Sequence, residues 1–408
     1  MISKTTLSNG LTVITEHLPH VESVAYELSI PGGVIYDAEG ALGESLILGE
    51  LTSRGAGTRD VRELSDAFDN AGIRHGEYAG SDRFVYRGSL LPHVLGTALE
   101  LVADMVLRPT FPEEELEPIQ SLLLQDIRSI PDSPSRQVMV ELTARYLESP
   151  HGRPSTGTEE GISKATIESL KALWNRLFRP SRAVLSVAGA CSHGDVIALA
   201  ERLFGAWSGI GPSEPQFKPV KKPTVHHIES DSAQHQIALI FKSVKFGAPG
   251  YYEAKVANGI LSGGMFGRLF IEVREKRGLC YSVYSRHSAT KEYGAVVAYA
   301  GTTPERSQET LDVLLSELRK ASQNITAEEL ERAKANLKAA VIIGEESAGA
   351  RSGSNAIDFM LSGKIRTLSE IAEAISQVTL EGVVQYFEEN KPVDITLVTL
   401  GKGPLTIK

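Results

Sequence analysis

The chain has 408 residues, 42 Lys+Arg against 51 Asp+Glu, a formal net charge of −9 and 42% hydrophobic residues. That length predicts more than one domain, and 23% charged residues with a mean hydropathy of −0.09 exclude long disorder. Two cysteines exclude a disulfide framework or a cysteine-ligated zinc ribbon, and a pI near 5.7 argues against a nucleic-acid partner.

In chain order, MISKTTLSNGLTVITEH is polar and reads as neither a signal peptide nor a membrane anchor, and no apolar run is long enough to span a bilayer. A soluble cytoplasmic protein is the expectation. Ser23 to Ile30 reads as a strand, and helical periodicity covers Leu91 to Met105, Glu113 to Ile130 and Ile162 to Leu177. The first half closes on FRPSRAVLSVAG, a proline turn and a strand running into Gly189. Residues 208–223, SGIGPSEPQFKPVKKP, form a linker almost at the midpoint. Beyond it come a strand at Gln236 to Lys242, helices at Pro304 to Ser322 and Ile325 to Ile343, and the closing NKPVDITLVTLG, which ends at Gly401. Thr326 with Glu329 predicts a capping box at the start of the last of those helices.

The halves repeat. Pro180/Pro392 and Gly189/Gly401 are both 212 residues apart, and the glutamate-rich helix starts pair Glu114 with Glu328 at 214. The predicted fold is therefore α+β, a tandem of two homologous domains at 1–207 and 224–408 joined by 208–223. Within each, strands should precede helices and a closing strand should follow.

Most self-sufficient chemistry is absent: the sequence has no Walker A loop, GxSxG, CxxC or HExxH motif. His226 and His227 precede Glu229, Asp231 and His235, but neighbours in a strand face opposite ways and chelate poorly. His17, His20, His75, His93 and His151 read as surface or satisfied core residues, and Cys280 as a small buried hydrophobe. Gly263–Gly264 lacks the Lys-Ser/Thr of a phosphate loop. One segment stands apart, LSGGMFGRLFIEVREKRGLCYSVYS at Leu261 to Ser285, where a glycine turn, a short basic helix and a strand follow one another. Arg274 near the helix end and Tyr281 at the strand start read in two ways. They are a solvated face with a packed tyrosine, or two donors converging on a carbonyl.

That segment resembles the C-terminal-half signature of the pitrilysin/insulinase-type zinc metallopeptidases, in particular the short-chain group similar to mitochondrial processing peptidase. The resemblance extends to the opening LSNGLTVI, the midpoint linker and the tandem halves, and implies a half-clam of processing-peptidase type. It implies that Arg274 and Tyr281 bind the scissile carbonyl. Active relatives carry His-x-x-Glu-His in the first half, with a further glutamate ligand downstream. In GALGESLILGELTSRGAGT the first histidine position falls on Leu46, the base on Gly49 and the second histidine on Glu50; the distant ligand falls on Asp126. Without imidazole or base, this chain is expected to hold no metal. The resemblance thus implies a non-catalytic subunit of a heterodimeric zinc endopeptidase. A homologous His-x-x-Glu-His partner would bring the zinc, an extended peptide would be the substrate, and the isolated chain could form a homodimer. The alternative is an inactive scaffold or peptide-binding protein on the same fold.

Overall fold

The computed structural model describes residues 2–408. The first half runs β1 (Ile2–Thr6), β2 (Thr12–His17), β3 (Val24–Pro31), α1 (Glu44–Leu51), the two-residue strands β4 (Gly55–Ala56) and β5 (Arg59–Asp60), α2 (Val61–Asn70), β6 (Arg74–Ala79) and β7 (Arg83–Leu90). It continues through α3 (Leu95–Leu107), α4 (Leu116–Arg128), α5 (Pro134–Tyr146), α6 (Glu159–Lys164), α7 (Ile167–Leu177), β8 (Val184–Gly189) and α8 (His193–Phe204). Residues 207–224 contain no helix or strand. The second half runs β9 (Val225–Glu229), β10 (His235–Ser243), α9 (Tyr251–Ser262), β11 (Cys280–Ala289), β12 (Gly294–Thr302), α10 (Ser307–Arg319) and α11 (Ala327–Gly344). It ends with α12 (Ala348–Ser362), α13 (Leu368–Ser376), α14 (Leu380–Glu389) and β13 (Thr396–Gly401).

The fold is α+β with two mixed sheets, ordered β1-β2-β8-β3-β7-β6 and β11-β12-β10-β13-β9. In each, the closing strand lies antiparallel to the central one and parallel to a single neighbour: β8 beside β2, and β13 beside β9. The 212-residue repeat thus corresponds to a repeated topology. Its glycines have a common cause. Gly189 has φ 119° and a Cβ there would lie 2.2 Å from the Ser23 carbonyl oxygen; Gly401 has φ 149° and a Cβ would lie 2.7 Å from His235 Nδ1. Only glycine accepts both the backbone angle and the approach of the neighbouring strand.

Two expectations are corrected. Strands do not all precede helices, because α1 and α2 intervene between β3 and β6. The helix expected over Ile162 to Leu177 breaks at Ala165, which is extended, and restarts at Thr166, whose side chain makes a capping box with Ser169. Apolar periodicity continues across the break, so it conceals the cap. The Thr326–Glu329 box forms as expected: the Glu329 N–H donates to Thr326 Oγ1 at 3.1 Å and the Thr326 N–H to Glu329 Oε2 at 2.9 Å.

The compact units do not follow the chain halves. The first comprises residues up to Ser129, Ser149–Gln216 and Gly344–Ile365; the second comprises Ile130–Glu148, Phe217–Ile343 and Arg366–Lys408. Helix α12, late in the chain, therefore covers β3 and β8 of the first sheet, while α5 covers β10 and β13 of the second. Each sheet is thereby packed on both faces. Ile14 and Val184 meet Ala356 of α12, and Ala238, Ile240, Val398 and Leu400 meet Val138, Leu142 and Tyr146 of α5. Burial on both faces explains the continuous apolar runs at residues 237–241 of β10 and 295–300 of β12.

The second unit contains a buried histidine with a clear pH consequence. His287 on β11 bonds the Val244 carbonyl through Nε2 at 2.9 Å. Burial pushes its pKa down to about 4, the Val244 bond opposing and the Lys255 ammonium adding to the fall. The unfolded chain takes this proton near pH 6.5 and the folded chain does not until about pH 4. Stability is therefore lost as pH falls through that window and levels off below it, by about 3 kcal/mol. Urea unfolding at pH 7 and pH 4, followed by hydrogen exchange in β10 and β12, should show this loss in the wild type. His287→Gln should lack that component, and an equal pH dependence in both would refute the assignment.

Candidate functional site

The Leu261–Ser285 segment is anchored before it reaches its reactive end. Arg268 donates to Glu329 at 2.6 and 2.9 Å and to the carbonyls of Ala321, Gln323 and Asn324, tying the glycine turn to the α10–α11 junction. Leu269 is fully buried. Phe270–Glu275 then form a π-helical turn, with the Lys276 N–H bonded to the Ile271 carbonyl five residues back. Val273 packs with Leu279 and Cys280, which pins the inner face of the turn. On the outer face Lys276 and Arg277 both donate to Glu272, holding its carboxyl below the usual range.

Gly278, with φ 58°, turns the chain into β11. Arg306 donates to its carbonyl, and Thr302 Oγ1 donates to the Leu279 carbonyl at 2.5 Å. Strand β11 is an edge strand, and its ladder with β12 shifts between Cys280 and Ser282. Tyr281 is the extra residue of that bulge. Cys280 points inward, its thiol pushed up to about 11 by burial, while Tyr281 is 79% exposed. The reading of Cys280 as a small buried hydrophobe fits this position.

These two irregularities bring Arg274 and Tyr281 together. The Arg274 guanidinium carbon lies 5.1 Å from the Tyr281 ring centre and 4.8 Å from that of Phe270. Among the described residues, no acceptor bonds the Arg274 guanidinium or the Tyr281 hydroxyl, while neighbouring Arg268, Lys276, Arg277 and Arg306 are all engaged. Aromatic contact orients a guanidinium without neutralising it, so both groups keep their donors for an incoming oxygen. π-Turns and β-bulges are common devices for aiming a side chain at a functional site.

The first unit holds the other half of the expected chemistry. Leu46, Gly49 and Glu50 lie on α1, and Asp126 lies exposed near the end of α4. Leu46 offers no donor atom. A Cβ on Gly49 would sit 3.0 Å from Ala79 Cβ and 3.1 Å from its backbone nitrogen, so α1 packs against β6 closely because residue 49 has no side chain. Glu50 is paired with Arg54 at 3.7 Å, and Arg54 also reaches Glu115 at 3.8 Å. Burial raises the Glu50 carboxyl, Arg54 opposing and the nearby Glu77 charge adding to the rise. Among the described residues, no three His, Cys, Asp or Glu side chains converge as a metal-holding group. The residues at these positions do not fit the family's zinc site: Leu46 and Gly49 supply neither ligand nor base, and Glu50, the one carboxylate at these α1 positions, is paired with Arg54.

His226 and His227 diverge: His226 lies 3.8 Å from Glu141, whereas His227 bonds Thr399 and Glu229. Sequence reasoning missed Phe270, which at helical spacing reads as one more core position. Its signal is an aromatic residue four before the arginine. It also missed Glu77, brought beside Glu50 only by the packing of β6 on α1.

Comparisons with known proteins identify the family and the fold. The family described as Insulinase (Peptidase family M16) matches residues 12–159, and the one described as Peptidase M16 inactive domain matches residues 164–337. The chain is 31% identical to the uncharacterized zinc protease YmxG of Bacillus subtilis (strain 168) over 388 residues, 94% of each protein. It is 28% identical to an uncharacterized zinc protease of Rickettsia bellii over 93% of this chain and 92% of that protein. A crystal structure of a peptidase M16 inactive domain from Pseudomonas fluorescens superposes with a TM-score of 0.90 at 25% identity, covering 100% of this chain and 99% of the other. Among the described residues, no helix is long and apolar enough to cross a membrane. Matched across both halves and over nearly its whole length, the chain belongs to the insulinase family of peptidases, M16.

Proposed function

We propose that this chain is the Arg/Tyr-bearing, non-catalytic subunit of a two-chain zinc endopeptidase. A homologous partner supplies His-x-x-Glu-His, with its metal and general base. In this reading Arg274 and Tyr281 bind the scissile carbonyl of an extended peptide and stabilise the oxyanion that develops there. The observation that carries it is the pairing of two unengaged donors, half-buried Arg274 and exposed Tyr281, by a π-turn and a β-bulge, in a chain whose Leu46 and Gly49 offer zinc neither ligand nor base. A bystander protein has no use for an unneutralised guanidinium aimed in this way. The edge strands β6 and β11 leave one row of backbone groups each for an added strand, the mode by which extended peptides bind.

The test is a tagged pull-down of the chain from its own organism at near-native expression, with stoichiometry and metal content measured. The expected result is a similar-sized chain bearing His-x-x-Glu-His, recovered about one-to-one, with zinc following that partner. Recovery of no such chain would overturn the proposal in favour of a scaffold or peptide-holding role.

A further inference from the structure

Phe270 has no role in the chemistry described above, yet its ring lies against the Arg274 guanidinium. It stands four residues before Arg274 on the π-turn, half-buried, with its ring 4.8 Å from the guanidinium carbon; the Tyr281 ring lies 5.1 Å from the same carbon. Arg274 thus contacts two rings and, among the described residues, has no carboxylate on its nitrogens. This is a particular solution to a particular problem. A long, flexible arginine must point in one direction while waiting for a carbonyl, and a salt bridge would fix it at the cost of using its donors. A ring face attracts the cation through its quadrupole and leaves every N–H free.

We propose that Phe270 is the positioning residue of the Arg274/Tyr281 pair. It holds the guanidinium plane against the tyrosine so that both donors meet one oxygen. The inference rests on the proposed function for its catalytic consequence, and on the geometry alone for the hold itself. Leu269 and Val273 anchor the turn in the core on either side of Phe270 and so fix the backbone that carries its ring.

The experiment has two stages. In the free full-length chain labelled at arginine, the Arg274 Nε–H and side-chain protons should show ring-current shifts in the wild type. Those shifts should be largely lost in Phe270→Leu and kept in Phe270→Tyr. Pentafluorophenylalanine at position 270, nearly isosteric but with its negative face drained, should also release Arg274, which a purely space-filling role would not. In the assembled two-chain complex, Phe270→Leu and the fluorinated variant should lower kcat about three- to tenfold with KM unchanged, and Phe270→Tyr should restore it. Because deleting the ring removes its own ring current in any case, the deciding readout is the order of the Arg274 Nε–H, measured by its heteronuclear NOE: a value equal to wild type in both the leucine and the fluorinated chain would overturn the hold. Unaltered kcat in those variants, where Arg274→Ala is severely impaired, would overturn its catalytic consequence. If Arg274→Ala itself leaves turnover unchanged, the functional reading fails, while the free-chain spectra still decide whether Phe270 holds the arginine.

Discussion

Replacing Arg274 by alanine is expected to lower kcat of the two-chain complex about a hundredfold or more, with its zinc content unchanged. A single oxyanion donor contributes about 2.7–4 kcal/mol of transition-state stabilisation, because its bond strengthens as negative charge develops on the carbonyl oxygen. The loss should therefore fall on kcat more than on KM. Arg274→Lys keeps the charge but loses the planar fork that contacts the Phe270 and Tyr281 rings, so it should recover only part of the activity. Tyr281→Phe removes one hydroxyl and keeps the ring that covers Arg274, and so separates donation from stacking. Steady-state kinetics on these variants, with zinc measured in each preparation, check the assignment. Turnover of Arg274→Ala within twofold of wild type would reject it.

How much of this was legible in the sequence differs by level. Local signals carried the element boundaries, as at Thr326 and Glu329, where the cap and its partner are three residues apart. They failed at Ala165, where an extended residue sits inside an unbroken apolar pattern. The spacing of Arg274 and Tyr281 was readable. Their convergence was not, because it depends on one hydrogen bond of the wrong length in a helix and one extra residue in a strand. Neither leaves a mark on hydrophobic periodicity. The exchange of α5 and α12 between units was equally hidden. Periodicity says that a helix has an apolar face and is silent about which sheet receives it.

That exchange places a buried charge where its loss can be measured cleanly. Arg351 of α12 is 1% exposed and donates to Glu16 of β2 at 2.8 Å, to Glu345 at 2.7 Å and to Asn355 Oδ1 at 3.0 Å; Asn355 Nδ2 returns to Glu16 at 2.8 Å. Among the described residues, Arg351 is the only counter-charge paired with Glu16 and Glu345. Arg351→Met keeps most of the volume and strands both carboxylates, which costs about 3–5 kcal/mol for a broken buried pair. For a unit of this size that corresponds to a fall in Tm of roughly 10 °C. Both tryptophans of the chain, Trp174 and Trp207, belong to the first unit. Tryptophan fluorescence therefore follows that unit alone, and its melting should move down while hydrogen exchange in β10 and β12 of the second stays unchanged. Adding Glu16→Met should recover part of the loss, since an apolar pair can replace a buried ionic one but a lone carboxylate cannot be left behind. A shift of less than about 1 kcal/mol in Arg351→Met would mean that apolar contacts of Ala356, Phe359 and Met360 alone hold α12 on its sheet.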